Sequence, residues 1–258
     1  MPEAPKPIQS GRVLVQDIDQ TISPSPTLWW LGHAGFVMRF ATITFYIDPC
    51  LSVAPRILDP AGVHHADLIL VTNASPAHLD PPTLLPMLRG SPRAKVIMPK
   101  SAAETAHAAG VPFDRMTTTD ADLRVEYFRD NLYSRVYAVP SANPALDYSP
   151  AGGYPHLGYL IRFGRWTVYH AGSCTMYAGL ADRLRPFNVN VALLPIGDGA
   201  FSPSDAADLA SAIAATWVVP IPADARAESD FVSHMLGHRP EQQFKLFQSG
   251  EKWTVPEE

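Results

Sequence analysis

Three histidines, His33, His78 and His170, stand near apolar runs in this chain, with Asp80 close to His78 and Cys174 close to His170 in sequence. His78 lies in Thr72–Asp80, a polar stretch that follows the apolar run 67–71 and precedes Asp80-Pro81-Pro82. A strand that ends in a polar turn and feeds a helix is where α/β proteins commonly keep their chemistry. An imidazole there serves as acid, base or metal ligand. Asp80 has two roles open to it, a metal-side carboxylate or the N-cap of a helix that opens on two prolines, and the cap suffices to explain it. Asp48 precedes Pro49 at a strand end, a place where an aspartate bonds backbone amides in a turn. Cys50 and Cys174 would need a base such as His78 or His170 to act as nucleophiles. A small buried apolar residue is the plainer reading of each thiol.

Other pairs are weaker. His64-His65 looks like a metal pair, but neighbours on a strand face opposite ways, so a surface loop is the expectation. His234 and His238 are spaced for one helix face, yet Gly237 and Arg239-Pro240 favour a turn. Trp29, Trp30, Trp166 and Trp217 sit in strand-like stretches and read as core.

The elements that must position these groups follow from periodicity. Residues 11–22 have helical spacing. Strands are expected over 28–31, 36–40, 43–47, 67–71 and 94–98, with a helix from Asp80 and another opened by Ser101 and Glu104 and stopped by Gly110. The pattern then repeats. Gly35–Phe40 aligns with Gly158–Phe163 at an offset of 123 residues, which also matches Thr44 with Thr167, Tyr46 with Tyr169, and 68–71 with 191–194. The Asp80 helix meets Ser202–Ala215, which carries its own capping pair, Ser202 and Asp205. Four elements in one order at nearly one offset make two similar β-rich halves, about 11–125 and 126–258, preceded by a loose Pro-rich arm at 1–10.

Composition narrows the class. A chain of 258 residues with 47% hydrophobic residues has ample core for one large domain. A net charge of −5 without basic clusters speaks against nucleic acid. Two cysteines cannot frame a disulfide scaffold, the N-terminal stretch has no apolar leader, and no apolar run is long enough for a bilayer. A cytoplasmic protein without membrane contact is expected.

Trp30–Phe36, Tyr46-Ile47-Asp48-Pro49 with Leu51-Ser52, Val139–Ala142, Tyr169–Gly172 and Leu193–Ile196 are phrases that resemble the metallo-β-lactamase superfamily. The branch most similar in these words holds ascorbate-6-phosphate lactonases and related hydrolases. The resemblance spans nearly the whole chain. It implies one α+β domain over 1–258, a four-layer αββα sandwich of two similar halves, and hydrolysis with zinc or manganese. The family's metal turn reads H-x-H-x-D-H. Its four slots here hold Asn73, Ser75, Ala77 and His78, and the later ligand slots fall on Asn143, Ser173 and Pro222. Neutral oxygen donors replace imidazole poorly, and alanine and proline bring no side-chain donor.

The expectation is therefore a metal-free protein with no cofactor. On that reading it is a pseudoenzyme that binds a small molecule or partner protein through His33, Asp48, Asn73, Ser75, His78, Asn143, His170, Ser173 and Asp198. The alternative is a lactone or phosphoester hydrolase with a remodelled site. That site would hold one metal on His33, His78, His170 and Asp48 or Asp80, or would use a Cys/His or Ser/His pair, with His78, Asp80 and Cys174 as the catalytic candidates. Lactonase relatives form oligomers, although no stretch here marks an interface.

Overall fold

The computed structural model describes residues 6–53 and 56–257. The chain divides into two compact units, one of Met1–Met98, Ala102–Thr118 and Phe247–Glu258, the other of Pro99–Ser101 and Thr119–Leu246.

The first unit is built on a mixed sheet. Its strands are β1 (Thr27–Gly32), β2 (Gly35–Phe40), β3 (Ile43–Ile47), β4 (Leu68–Leu70), β5 (Lys95–Pro99) and β6 (Met116–Thr119), with β14 (Lys252–Thr254) added at the far edge beside β1. β1 to β3 are antiparallel, and β3, β4 and β5 run parallel. Parallel strands need crossovers. One is supplied by helix α2 (Pro81–Gly90), and helix α1 (Gly11–Gln20) precedes the sheet. Leu14, Val15 and Ile18 of α1 and Leu84, Met87 and Leu88 of α2 pack on Trp29, Val37, Tyr46, Ile69 and Val96, one face of the sheet. Each of these side chains contributes roughly 1.5–3 kcal/mol by leaving water.

The second unit repeats the plan. Its strands are β7 (Arg124–Arg129), β8 (Leu132–Pro140), β9 (Leu157–Phe163), β10 (Trp166–His170), β11 (Val191–Ile196), β12 (Trp217–Pro222) and β13 (Gln243–Phe244), hydrogen-bonded in that order. β10, β11 and β12 are parallel, as are β3, β4 and β5. Helices α4 (Leu180–Leu184), α5 (Pro203–Ala212) and α6 (Ala225–His238) cover one face of this sheet, while the short α3 (Ala103–Ala108) belongs to the first unit.

The expected repeat thus extends to bonds. In the first unit Asp67 Oδ2 accepts the Thr44 N–H at 2.9 Å. At the same offset Asn190 Oδ1 accepts the Thr167 N–H at 2.7 Å. The Asp48 N–H donates to Leu70 O, and the Ala171 N–H, 123 residues on, donates to Leu193 O. The fold is α+β with two similar halves. Among the described residues no helix is long and apolar enough to cross a membrane.

Several local expectations change. Residues 1–5 of the arm lie outside the described residues. The remainder is tied down, because the Ile8 N–H donates to Ser249 O at 2.9 Å. Asp80 sits at the N-cap position but its side chain caps nothing. Pro82 has no N–H to offer, so the carboxylate turns instead to the Ser52 N–H and the Thr83 hydroxyl. Ser101 lies inside a 3-10 turn that runs straight into α3, so the Ser101–Glu104 box does not form. Ser202 does cap α5, through the Asp205 N–H at 3.0 Å. Helix α6 continues through His238, and His234 and His238 stack on one face of it with ring centres 4.6 Å apart. Helical packing of Phe231 and Met235 outweighs the cost of Gly237.

The Asp67–Asn190 equivalence is testable by urea unfolding. Asp67→Asn keeps an acceptor of the kind Asn190 supplies and is expected to stay within about 1 kcal/mol of the parent protein. Asp67→Ala and Asn190→Ala leave an amide without its acceptor and are each expected to lose about 1–3 kcal/mol.

Candidate functional site

Asp48 directly follows β3, and its side chain is fully buried. Its backbone takes φ +44, a left-handed conformation that aims the carboxylate back at the strand beside it. Oδ1 accepts the Thr72 N–H at 2.8 Å, and Oδ2 accepts the Thr72 hydroxyl at 2.6 Å. His78 Nδ1 lies 2.7 Å from the same Oδ2 and 3.0 Å from Thr72 Oγ1. A carboxylate has no proton to give, so Nδ1 is the protonated ring nitrogen.

The rest of the turn serves this contact. Asn73 is buried and its Oδ1 accepts the Ser75 N–H at 2.9 Å. Ser75 O then accepts the N–H groups of His78 and Leu79, which brings the chain round. Ser75 itself is exposed. Burial disfavours charge on His78, but the Asp48 carboxylate and its hydrogen bond outweigh it, and the histidine pKa is raised above its ordinary 6.5.

Beside this turn lies a cavity of about 420 Å³ lined by His33, Cys50, Ser52, Ala77, Leu79 and Asp80, among others. His33 is exposed, and its carbonyl accepts the Trp30 indole N–H. The Cys50 thiol is pushed up by burial and by the Asp80 carboxylate, so it stays protonated.

The other expected site residues belong to the second unit. His170 ends β10, fully buried, and its Nδ1 accepts the Gly172 N–H at 3.1 Å. Ser173 is half-buried. Cys174 is buried, donates to Thr175 O, and is pushed up by burial to about 11, so its thiol is not poised to attack. Asn143 and Asp198 are exposed. Within the first unit the structure therefore gathers Asp48, Asn73 and His78 into one bonded group and puts His33 and Asp80 on the adjoining cavity.

A further group was not foreseen. Asp19, near the end of α1, faces His64 and His65, with ligand-type atoms all within 4.8 Å of one another. The expected loop is there, 63–66 entering β4, but strand alternation does not apply in it, so the two rings are free to come together and the pair is not to be set aside as a metal pair. The two rings meet edge to face at 5.4 Å between centres. Burial lowers the His65 pKa to about 4, against the pull of Asp19, so this ring is neutral at pH 7. The sequence signal was the His-His pair itself. Its partner lies on a helix 45 residues earlier, which no local spacing reveals.

Residues 27–222 match the model of the beta-lactamase superfamily domain. The chain belongs to the metallo-β-lactamase superfamily. It is 32% identical over 200 residues to a UPF0173 metal-dependent hydrolase of Myxococcus xanthus, covering 75% of this chain and 68% of that one. It is 27% identical to a protein of the same name from an Exiguobacterium strain, over 74% of this chain and 83% of the other. A metallo hydrolase from Ignicoccus hospitalis has the same fold, with a TM-score of 0.68 at 19% identity, over 91% of this chain and all of that one. The expectation of a protein with no metal cofactor is corrected by these findings. The relatives are named metal-dependent hydrolases, and Asp19, His64 and His65 form a three-donor group that points to a metal.

The raised His78 pKa carries a sign. Its bond to Asp48 stabilises the fold fully below about pH 6.5, the unfolded value, and that contribution fades as pH rises through the folded value. A titration followed by imidazole NMR is expected to give His78 a midpoint above 6.5 in the parent protein and a lower one in Asp48→Asn. The stability gap between the parent and His78→Gln should narrow towards alkaline pH.

Proposed function

We propose that the protein is a hydrolase of the lactone or phosphoester class, working through a remodelled site at the Thr72–Asp80 turn. The observation that carries this is the 2.7 Å contact between Asp48 Oδ2 and His78 Nδ1, set beside a cavity open to a small substrate. A carboxylate behind an imidazole fixes the tautomer and the ring plane and stabilises the imidazolium that forms during proton transfer. Membership of a hydrolase superfamily, and relatives named as hydrolases, support retained hydrolysis over a binding-only role.

In this mechanism His78 takes a proton from the attacking water and returns one to the leaving oxygen. Water is the nucleophile, because the Cys50 thiol on the cavity wall is held protonated. His33 and Ser52 line the same cavity and supply polar contacts for the substrate's oxygens.

When bound, a divalent ion supplies a Lewis acid and a water of lowered pKa. The turn does not fit one. It offers His78 Nε2, the ring nitrogen turned away from Asp48, but Asp80 Oδ2 is held by Ser52 and Thr83, the Asn73 side-chain oxygen accepts from Ser75, and Ala77 has no donor. No step at the turn is routed through a metal.

A panel of aliphatic lactones and phosphomonoesters tests the proposal. Turnover is expected with at least one class, and His78→Ala should lower kcat by about 10²–10⁴-fold. The rising limb of kcat/KM against pH should lie above 6.5 and move to lower pH in Asp48→Asn. Turnover that survives intact in His78→Ala would overturn the assignment.

A further inference from the structure

We propose that Asp19, His64 and His65 bind one divalent first-row transition metal, at the entry to β4 and apart from the Thr72–Asp80 turn that follows the exit of the same strand. The argument begins with which nitrogen of each ring faces the carboxylate. His64 Nδ1 lies 3.0 Å from the carbonyl oxygen of Gly62, which can only accept, so Nδ1 carries the proton there. That leaves Nε2 as the atom directed at Asp19, 3.5 Å from Oδ2. His65 Nε2 bonds the Tyr46 hydroxyl at 2.9 Å, which turns Nδ1 to Asp19 Oδ1 at 3.9 Å.

This His65 Nδ1 is the second observation. The side chain is only 5% exposed, and Nδ1 is buried with no hydrogen-bond partner. Buried polar atoms are rarely left so, and an orphan aimed at a carboxylate and a second imidazole calls for a cation between them. Each histidine has an outer partner on its far nitrogen, Gly62 O for one and the Tyr46 hydroxyl for the other. Metal-bound histidines are oriented in this way.

The donor set selects the ion. Two imidazoles and one carboxylate suit zinc and its first-row neighbours, whereas calcium and magnesium ask for oxygen alone. Zinc bonds of about 2.0–2.1 Å put tetrahedral donors about 3.3 Å apart. Separations of 3.5 and 3.9 Å, and none above 4.8 Å, are close enough to be drawn in by the exposed His64 ring. Water fills the open positions on the solvent side. The second half lacks the device: Tyr169, which matches Tyr46, has a buried hydroxyl with no partner, and Asn188 stands where His65 does. Such a metal fastens the end of α1 to the start of β4.

The test uses the full chain without a histidine tag and needs no substrate, so it is independent of the hydrolase proposal. Zn²⁺ titration and elemental analysis are expected to give one equivalent per chain, and Co²⁺ a visible spectrum of mixed nitrogen and oxygen ligation. Asp19→Asn and His64→Ala should each weaken binding at least tenfold. Tyr46→Phe, which removes only the outer partner of His65, should weaken it about 10–100-fold. A hundredfold excess of zinc over its Kd should raise the Tm by about 5–10 °C, and not in Asp19→Asn. His78→Ala should bind zinc like the parent. The proposal is overturned if the folded parent takes up no stoichiometric metal, if binding survives both Asp19→Asn and His64→Ala, or if it is lost in His78→Ala.

Discussion

The first unit depends on one buried carboxylate. Asp48 is out of water altogether, and a charge so placed persists only where hydrogen bonds replace its hydration. Thr72 supplies two, from its amide and its hydroxyl, and His78 a third. Those bonds join the end of β3 to the turn after β4 and fix the ring plane of His78. Everything assigned to the turn, from the Asn73–Ser75 bond to the cavity beside it, is arranged around that anchor. Removing His78 would cost the buried carboxylate one of these three bonds, and removing Asp48 would take an acceptor from Thr72 and His78 at once, so structural and chemical roles are merged in the same atoms.

The repeat explains how the two halves can differ in the side chains they carry at their strand ends. Each half closes its parallel strands with its own backbone bonds and one side-chain bond, Asp67 to Thr44 in the first and Asn190 to Thr167 in the second. Those bonds lie at the strand starts, remote from the turn that follows β4. The same independence lets the first half hold a histidine–aspartate cluster at its strand entry that the second half lacks.

Much of the fold was legible in the sequence. Strand runs, the offset of 123 residues and the Ser202 cap survive as read, whereas the equally local Ser101–Glu104 box does not form. Errors fell where a neighbour distant in sequence decided the outcome. Asp80 looked like a helix cap, but the missing N–H of Pro82 and the nearby Ser52 amide drew its carboxylate elsewhere. His234 and His238 looked like a turn until Phe231 and Met235 found a sheet to pack on.

By itself the sequence determined the superfamily, the two halves and the address of the turn, because periodicity and phrase order are written along the chain. Only the tertiary structure decided what the functional side chains do. Asp48 meets His78 across 30 residues and Asp19 meets His64 and His65 across about 45, at distances where a few tenths of an ångström separate a bond from none. Such contacts depend on the register of β3 against β4 and on where α1 comes to rest. Those are properties of packing, which residue order constrains without displaying.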